Sequence, residues 1–196
     1  MVIFVQYKAP TFDRTRYCEF AMGEKLDLAR VHNKIAEAHF FLYQMNEQER
    51  RLIGDRQPFD YYLSAFLNAG RTVDYRLRHE QPATYPAWRT AWDAGLTPQE
   101  KALIKFMVDD RNDEVHESGS SRSVAEESVP LPMGTYRTAD GIFNLDGGPP
   151  GMPPVVAYRP TFNFTIDGVE RRATEACAAY LALLQRMVTR FEADHP

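Results

Sequence analysis

At 196 residues, with 44% hydrophobic and 26% charged side chains, the chain has the balance of an ordinary folded protein and the length of one domain, which excludes a disordered polymer. A formal net charge of −4 excludes a protein that coats nucleic acid through many lysine and arginine contacts to phosphates, while leaving room for a small local site. Two distant cysteines, Cys18 and Cys177, exclude a disulfide framework and offer no metal-ligand spacing, so neither metal nor cofactor is expected and a reducing cytoplasm fits.

The start, MVIFVQYKAP, has a short apolar run with no basic leader, and no stretch approaches the roughly 18 apolar residues of a membrane span. We therefore expect a soluble cytoplasmic protein without membrane association. From Glu24 to about Arg51, Leu28, Val31, Ile35, Ala38, Leu42 and Met45 recur at spacings of three and four, which predicts a helix with one buried stripe. Gly54 and Pro58 interrupt it. A second helix follows on Tyr62, Leu63, Phe66, Leu67, Gly70, Val73 and Leu77, antiparallel to the first across a short connection. Gly70 in its middle costs helix stability, which either a close approach by another helix explains or the helix simply tolerates.

The segment with Pro82, Pro86, Trp88 and Trp92 reads as a connection carrying one short helix, its tryptophans acting as lids on the core. Thr97, Pro98 and Glu100 then compose a capping box. The third long helix runs from about Pro98 towards His116 and buries Leu103, Phe106 and Met107. Residues 118–154, rich in Gly and Pro and including GGPPGMPP, read as a long irregular excursion. An Asp167-Gly168 turn signal between β-branched and aromatic runs predicts a small β-hairpin. A terminal helix over about 170–194 carries a broad stripe from Ala173 to Phe191. The expected fold class is mainly α: an up-and-down bundle of four to five helices with a β-hairpin appendage, in one domain over 1–196.

The segment Arg111-Asn112-Asp113-Glu114-Val115-His116, at the end of a bundle helix, resembles the Arg-Asn-x-x-x-His signature of the HEPN superfamily. The preceding helix DYYLSAFLNAGRTVDYRLR is also similar to the second bundle helix of HEPN-like bacterial proteins. The resemblance covers roughly residues 24–118, with the terminal helix completing the bundle and the Pro/Gly-rich excursion without counterpart. It implies metal-independent endoribonuclease activity in a homodimer, as the toxin of a toxin–antitoxin pair or a defence component, with RNA as substrate and an antitoxin protein as partner. It equally implies the alternative of a non-catalytic dimerisation or protein- or nucleotide-binding module. In the catalytic version His116 is general base or acid, Arg111 holds the phosphate, and Asn112 orients one of them.

Helix geometry bears on that assignment. Asn112 and His116 are four apart and stack on adjacent turns, while Arg111 lies about 100° round the helix, so one groove takes all three only if it is wide or completed by a second subunit. Arg71 and Arg78, seven apart on one face of the second helix, are candidate substrate-binding residues that offset Asp109, Asp110, Asp113, Glu114 and Glu117 beside the motif. Against these readings stand plain ones: Arg111 paired with neighbouring acids, His116 favouring a helix C-terminus, and Arg71 and Arg78 on a solvated face. A second interval, Arg190 to His195, lacks the Asn and lies at the chain's end. His32 and His39 are two turns, about 10 Å, apart and too distant to share a metal.

Overall fold

A computed structural model of the chain describes residues 28–51, 56–116, 122–131, 134–138, 141–145 and 156–195; the side chains of 111–116, 136–138, 141 and 143–145 lie outside that description. The described residues form α1 (Ala29–Glu49), α2 (Gln57–Glu80), α3 (Tyr85–Ala94), α4 (Pro98–His116), β1 (Ser123–Pro130), β2 (Gly134–Thr138), β3 (Gly141–Leu145), β4 (Val156–Ile166), β5 (Val169–Arg172) and α5 (Ala173–Asp194). The protein is mostly helical, with a small three-stranded antiparallel sheet ordered β1-β4-β5 and a separate β2-β3 pair.

The helices pack on the stripes that the apolar spacing predicts. On α1, Val31, Ile35, Ala38 and Met45 are buried; on α2, Leu63, Phe66, Leu67, Gly70, Val73 and Leu77. The α5 stripe from Ala173 to Phe191 is buried throughout. Cross-helix pairs give the chain directions. His32 reaches Glu192 at 2.6 Å and Glu49 meets Thr174 at 2.8 Å, so α1 and α5 run antiparallel. Phe66 lies edge-on to Tyr180 and Asp74 lies at the level of Tyr85, which touches Met187, so α2 and α5 run in the same sense. Glu100, in the first turn of α4, meets Arg186 near the end of α5, which sets α4 against both. No described helix is long and apolar enough to cross a membrane.

Two local expectations concern backbone. A Cβ on Gly70 would stand 2.8 Å from Tyr180 Cε1 and 3.4 Å from Leu184 Cδ1, so glycine there is what lets α5 close on α2. Thr97 and Glu100 form the reciprocal capping box: the Thr97 amide donates to Glu100 Oε2 at 2.8 Å, and the Glu100 amide to Thr97 Oγ1 at 3.3 Å.

The β structure requires a correction. The hairpin forms as expected, with Asp167 at φ 53° and Gly168 at φ 75° in the turn joining β4 to β5. It is, however, a wall of the core and not an appendage: Phe162, Phe164 and Ile166 are buried, Phe162 stacks on Phe59 of α2, and Phe164 lies edge-on to Phe106 of α4. The 118–154 excursion is likewise not irregular throughout, because β1, β2 and β3 lie within it. β1 pairs with β4 from Ser123↔Asn163 to Pro130↔Val156. That ladder holds it without apolar alternation, and ion pairs add to it. Glu127 accepts from Arg159 and Arg172 at 2.8 and 2.7 Å, and Arg122 pairs with Asp60 while lying over the Phe162 ring. GGPPGMPP and Cys18 lie outside the described residues.

Candidate functional site

The Arg111–His116 segment occupies the last turns of α4, where the sequence puts it. Its side chains are outside the described residues, so what carries information is the face of α4 leading up to it. Leu103, Met107 and Asp110 are buried, whereas Ile104 and Val108 are partly exposed at the rim of a cavity. At about 100° per residue, position 111 lies about 60° to one side of 108 and position 112 about 40° to the other, so both border the cavity-side row of 104 and 108, while position 116 falls about 80° round from 108. Two of the five acids around the motif are accounted for. Asp110 is 2% exposed and faces inward, and Asp109 receives Lys105 at 2.5 Å.

That cavity, of about 150 Å³, lies among α2, α3, α4 and α5. Arg71 and Arg78 both line it, as their spacing of seven on α2 predicts, together with Asp74 between them. The short helix α3 supplies Arg89, Trp92 and Asp93. Asp74 is the hub. Its Oδ1 accepts from the Tyr85 hydroxyl at 2.7 Å and from Arg89 Nε at 3.1 Å, and its Oδ2 from Arg78 at 3.4 Å. Arg89 also pairs with Asp93 and lies 5.1 Å from the centre of the Trp92 ring. Burial, reinforced by Asp74, pushes the Tyr85 phenol far above its ordinary range, so it remains a donor. Three arginines against two aspartates leave the lining with an excess of positive charge. Arg71 is exposed and has no ion-pair partner among the described residues.

Trp92 also belongs to a second, shallower groove of about 610 Å³ between α3, the start of α4 and the end of α5. Trp88 and Trp92 stack along α3, with Trp88 edge-on to Phe191, so both tryptophans cover the core as expected. The groove's charges are mutually satisfied: Arg186 donates to Glu100 at 2.7 Å, and Asp194 accepts from Trp88 at 2.8 Å and Arg190 at 3.0 Å. The Trp88 bond, and then Arg190, hold the Asp194 carboxyl below its usual value. Arg190 and His195 therefore serve the end of α5, His195 lying against the Phe191 ring and its carbonyl. His32 and His39 separately reach Glu192 and Gln185 of α5. Among the described residues no group of three or more His, Cys, Asp or Glu side chains is placed to hold a metal.

Sequence reasoning missed Asp74, Arg89 and the hydroxyl of Tyr180. Asp74 and Arg89 are fifteen residues apart, and nothing in either neighbourhood marks a pair that forms only when α3 folds back on α2. Tyr180 was legible as core, which it is at 4% exposure; that it also lines the cavity was not.

The fold and cavity thus describe a mainly helical protein with an arginine-lined recess beside the end of α4. Comparison of the chain with protein-family models, with characterised proteins and with solved structures yields no match.

Proposed function

We propose that the protein is a HEPN-like, metal-independent endoribonuclease that acts as a homodimer. The observation that carries this reading is the cavity: Arg71 and Arg78 share it with Ile104 and Val108, the row that leads at helical spacing to Arg111. Arginines that bind a phosphate backbone and the arginine that holds a scissile phosphate belong on one such surface. The alternating directions of α1, α2, α4 and α5 also agree with the up-and-down bundle of that family.

In this mechanism the ribose 2′-hydroxyl attacks the adjacent phosphorus and the bond to the 5′-oxygen breaks, giving a cyclic phosphate and a 5′-hydroxyl. His116 takes the 2′ proton, or delivers one to the leaving oxygen, as imidazole can near neutral pH. Arg111 offsets the charge that grows on the phosphoryl oxygens, and Asn112 orients His116 or the phosphate. Arg71 and Arg78 hold the flanking backbone.

The test is cleavage of single-stranded RNA and of total cellular RNA with a chelator present. Wild-type protein is expected to leave cyclic phosphate or 3′-phosphate ends. His116→Ala is expected to lose about 10²–10⁴-fold in rate without unfolding, and Arg111→Ala to suffer comparably. Wild-type cleavage by both variants excludes the site. A second reading, a non-catalytic binding module, is favoured by one specific observation: Arg78 and Arg89 are already committed to Asp74 and Asp93. Inactivity of the wild type on every RNA supports it.

A further inference from the structure

Tyr180 stands apart in the cavity lining. It is 4% exposed, packed edge-on against Phe66, and lines the cavity, yet its hydroxyl has no hydrogen-bond partner among the described residues. Its hydroxyl is not among the buried polar atoms left without a partner, so it keeps contact with solvent, and at the recess that Tyr180 lines it is free to donate to a ligand atom. Asp74 is close enough to act on it electrostatically but is saturated by Tyr85, Arg89 and Arg78. Arg71 lies at the same recess, exposed and without an ion-pair partner. Burial, with Asp74, drives the Tyr180 phenol well above its ordinary value against the opposing pull of Arg71 and Arg89. The hydroxyl therefore keeps its proton and can only donate to an anion. A recess of about 150 Å³ is several times what one water needs, and so takes a group of phosphate size but not a whole nucleotide.

We infer that Arg71 and Tyr180 form a phosphate subsite, in which the guanidinium supplies charge and a planar donor pair while the phenol gives one directed hydrogen bond to a phosphoryl oxygen. This deepens the ribonuclease reading and rests on it for the source of the phosphate: a polynucleotide backbone in that reading, a free phosphate or mononucleotide otherwise. Gly70 is part of the device. Only its missing side chain lets the Tyr180 ring pack this closely on α2, one residue from Arg71.

Three probes separate the sources: inorganic phosphate and 5′-AMP by calorimetry, and a single-stranded 2′-deoxy oligonucleotide, which lacks the attacking hydroxyl, by fluorescence anisotropy. Each is measured on wild type, Arg71→Ala and Tyr180→Phe. Tyr180→Phe removes one idle hydroxyl from a packed ring and is expected to leave the melting temperature unchanged or slightly raised, so any loss of binding is local. Both variants are expected to weaken binding by about tenfold, the usual share of a hydrogen bond to a charged group. Loss of that size on the oligonucleotide supports the subsite with a nucleic-acid backbone as ligand. Loss on phosphate and 5′-AMP, with no oligonucleotide binding by the wild type, supports the subsite and removes the ribonuclease reading. Wild-type affinity in either variant, or failure of the wild type to bind all three probes, overturns it.

Discussion

Glu49 shows how a single buried side chain couples segments that sequence keeps apart. It ends α1 and is 8% exposed; its Oε2 accepts from the Thr174 hydroxyl at 2.8 Å in the first turn of α5, and its Oε1 has no hydrogen-bond partner among the described residues. A carboxylate at a helix N-terminus is favourable, and Arg172 at the start of α5 makes no side-chain cap of its own. Burial nonetheless dominates and raises the Glu49 pKa, against the Thr174 bond, a backbone bond from Phe162, and the charges of Arg172 and Arg159. The sign follows. A carboxyl whose folded pKa is raised favours folding when protonated, and that contribution is full at low pH and lost as pH rises through the folded value. The stability difference between Glu49→Gln and wild type is therefore expected to shift in the variant's favour from pH 4 to pH 7. One titrating group sets the limit, about 1.4 kcal/mol per pH unit. Denaturant midpoints of both proteins across that range measure it, and a difference independent of pH refutes the assignment. None of this was legible in the sequence, where Glu49 is one acid in a polar run, because its burial is imposed by α5 and β4 arriving from more than a hundred residues away.

At the scale of elements, legibility follows the kind of force that makes each one. The stripes of α1, α2 and α5, the Thr97–Glu100 box and the Asp167-Gly168 turn were all readable, since each is a local pattern with one physical meaning, whereas Gly70 had two readings, between which the closeness of Tyr180 decides. β1 was not. Its sequence, SVAEESVP, has no apolar alternation, and its place is set by pairing with β4, far along the chain, which no local pattern marks. The stripes also make a quantitative claim. Phe66 is fully buried between α2 and Tyr180, and Leu184 is 5% exposed beside Gly70. Phe66→Ala and Leu184→Ala are each expected to destabilise by roughly 2–5 kcal/mol, the range for large-to-small changes that leave a cavity. Losses below about half a kcal/mol at both positions, read from denaturant midpoints, mean that the core is held elsewhere.

Over the whole molecule the decisive quantity is the number of copies that build the site. Position 111 borders the cavity-side row of α4, and positions 112 and 116 lie about 100° and 140° from it around the helix, so one copy places 112 and 116 on a different side from 111. Burial of Leu103, Met107 and Asp110 fixes which side of α4 faces inward. In the proposed dimer, a two-fold pairing of α4 with its copy would bring Arg111 of one subunit towards the histidine of the other, as an isologous interface allows. Sedimentation is therefore expected to give twice the 22.5 kDa chain mass at micromolar concentration. Specific ribonuclease activity is expected to fall on dilution below the dimer's dissociation constant, because a separated subunit holds only part of the site. Mixing the inactive Arg111→Ala and His116→Ala proteins is then expected to restore part of the activity, because a mixed dimer pairs the intact arginine of one subunit with the intact histidine of the other, whereas self-sufficient monomers do not complement. A strictly monomeric protein at high micromolar concentration, or activity proportional to concentration down to the nanomolar range with no complementation between the two variants, removes the composite site and with it the mechanism built on Arg111 and His116.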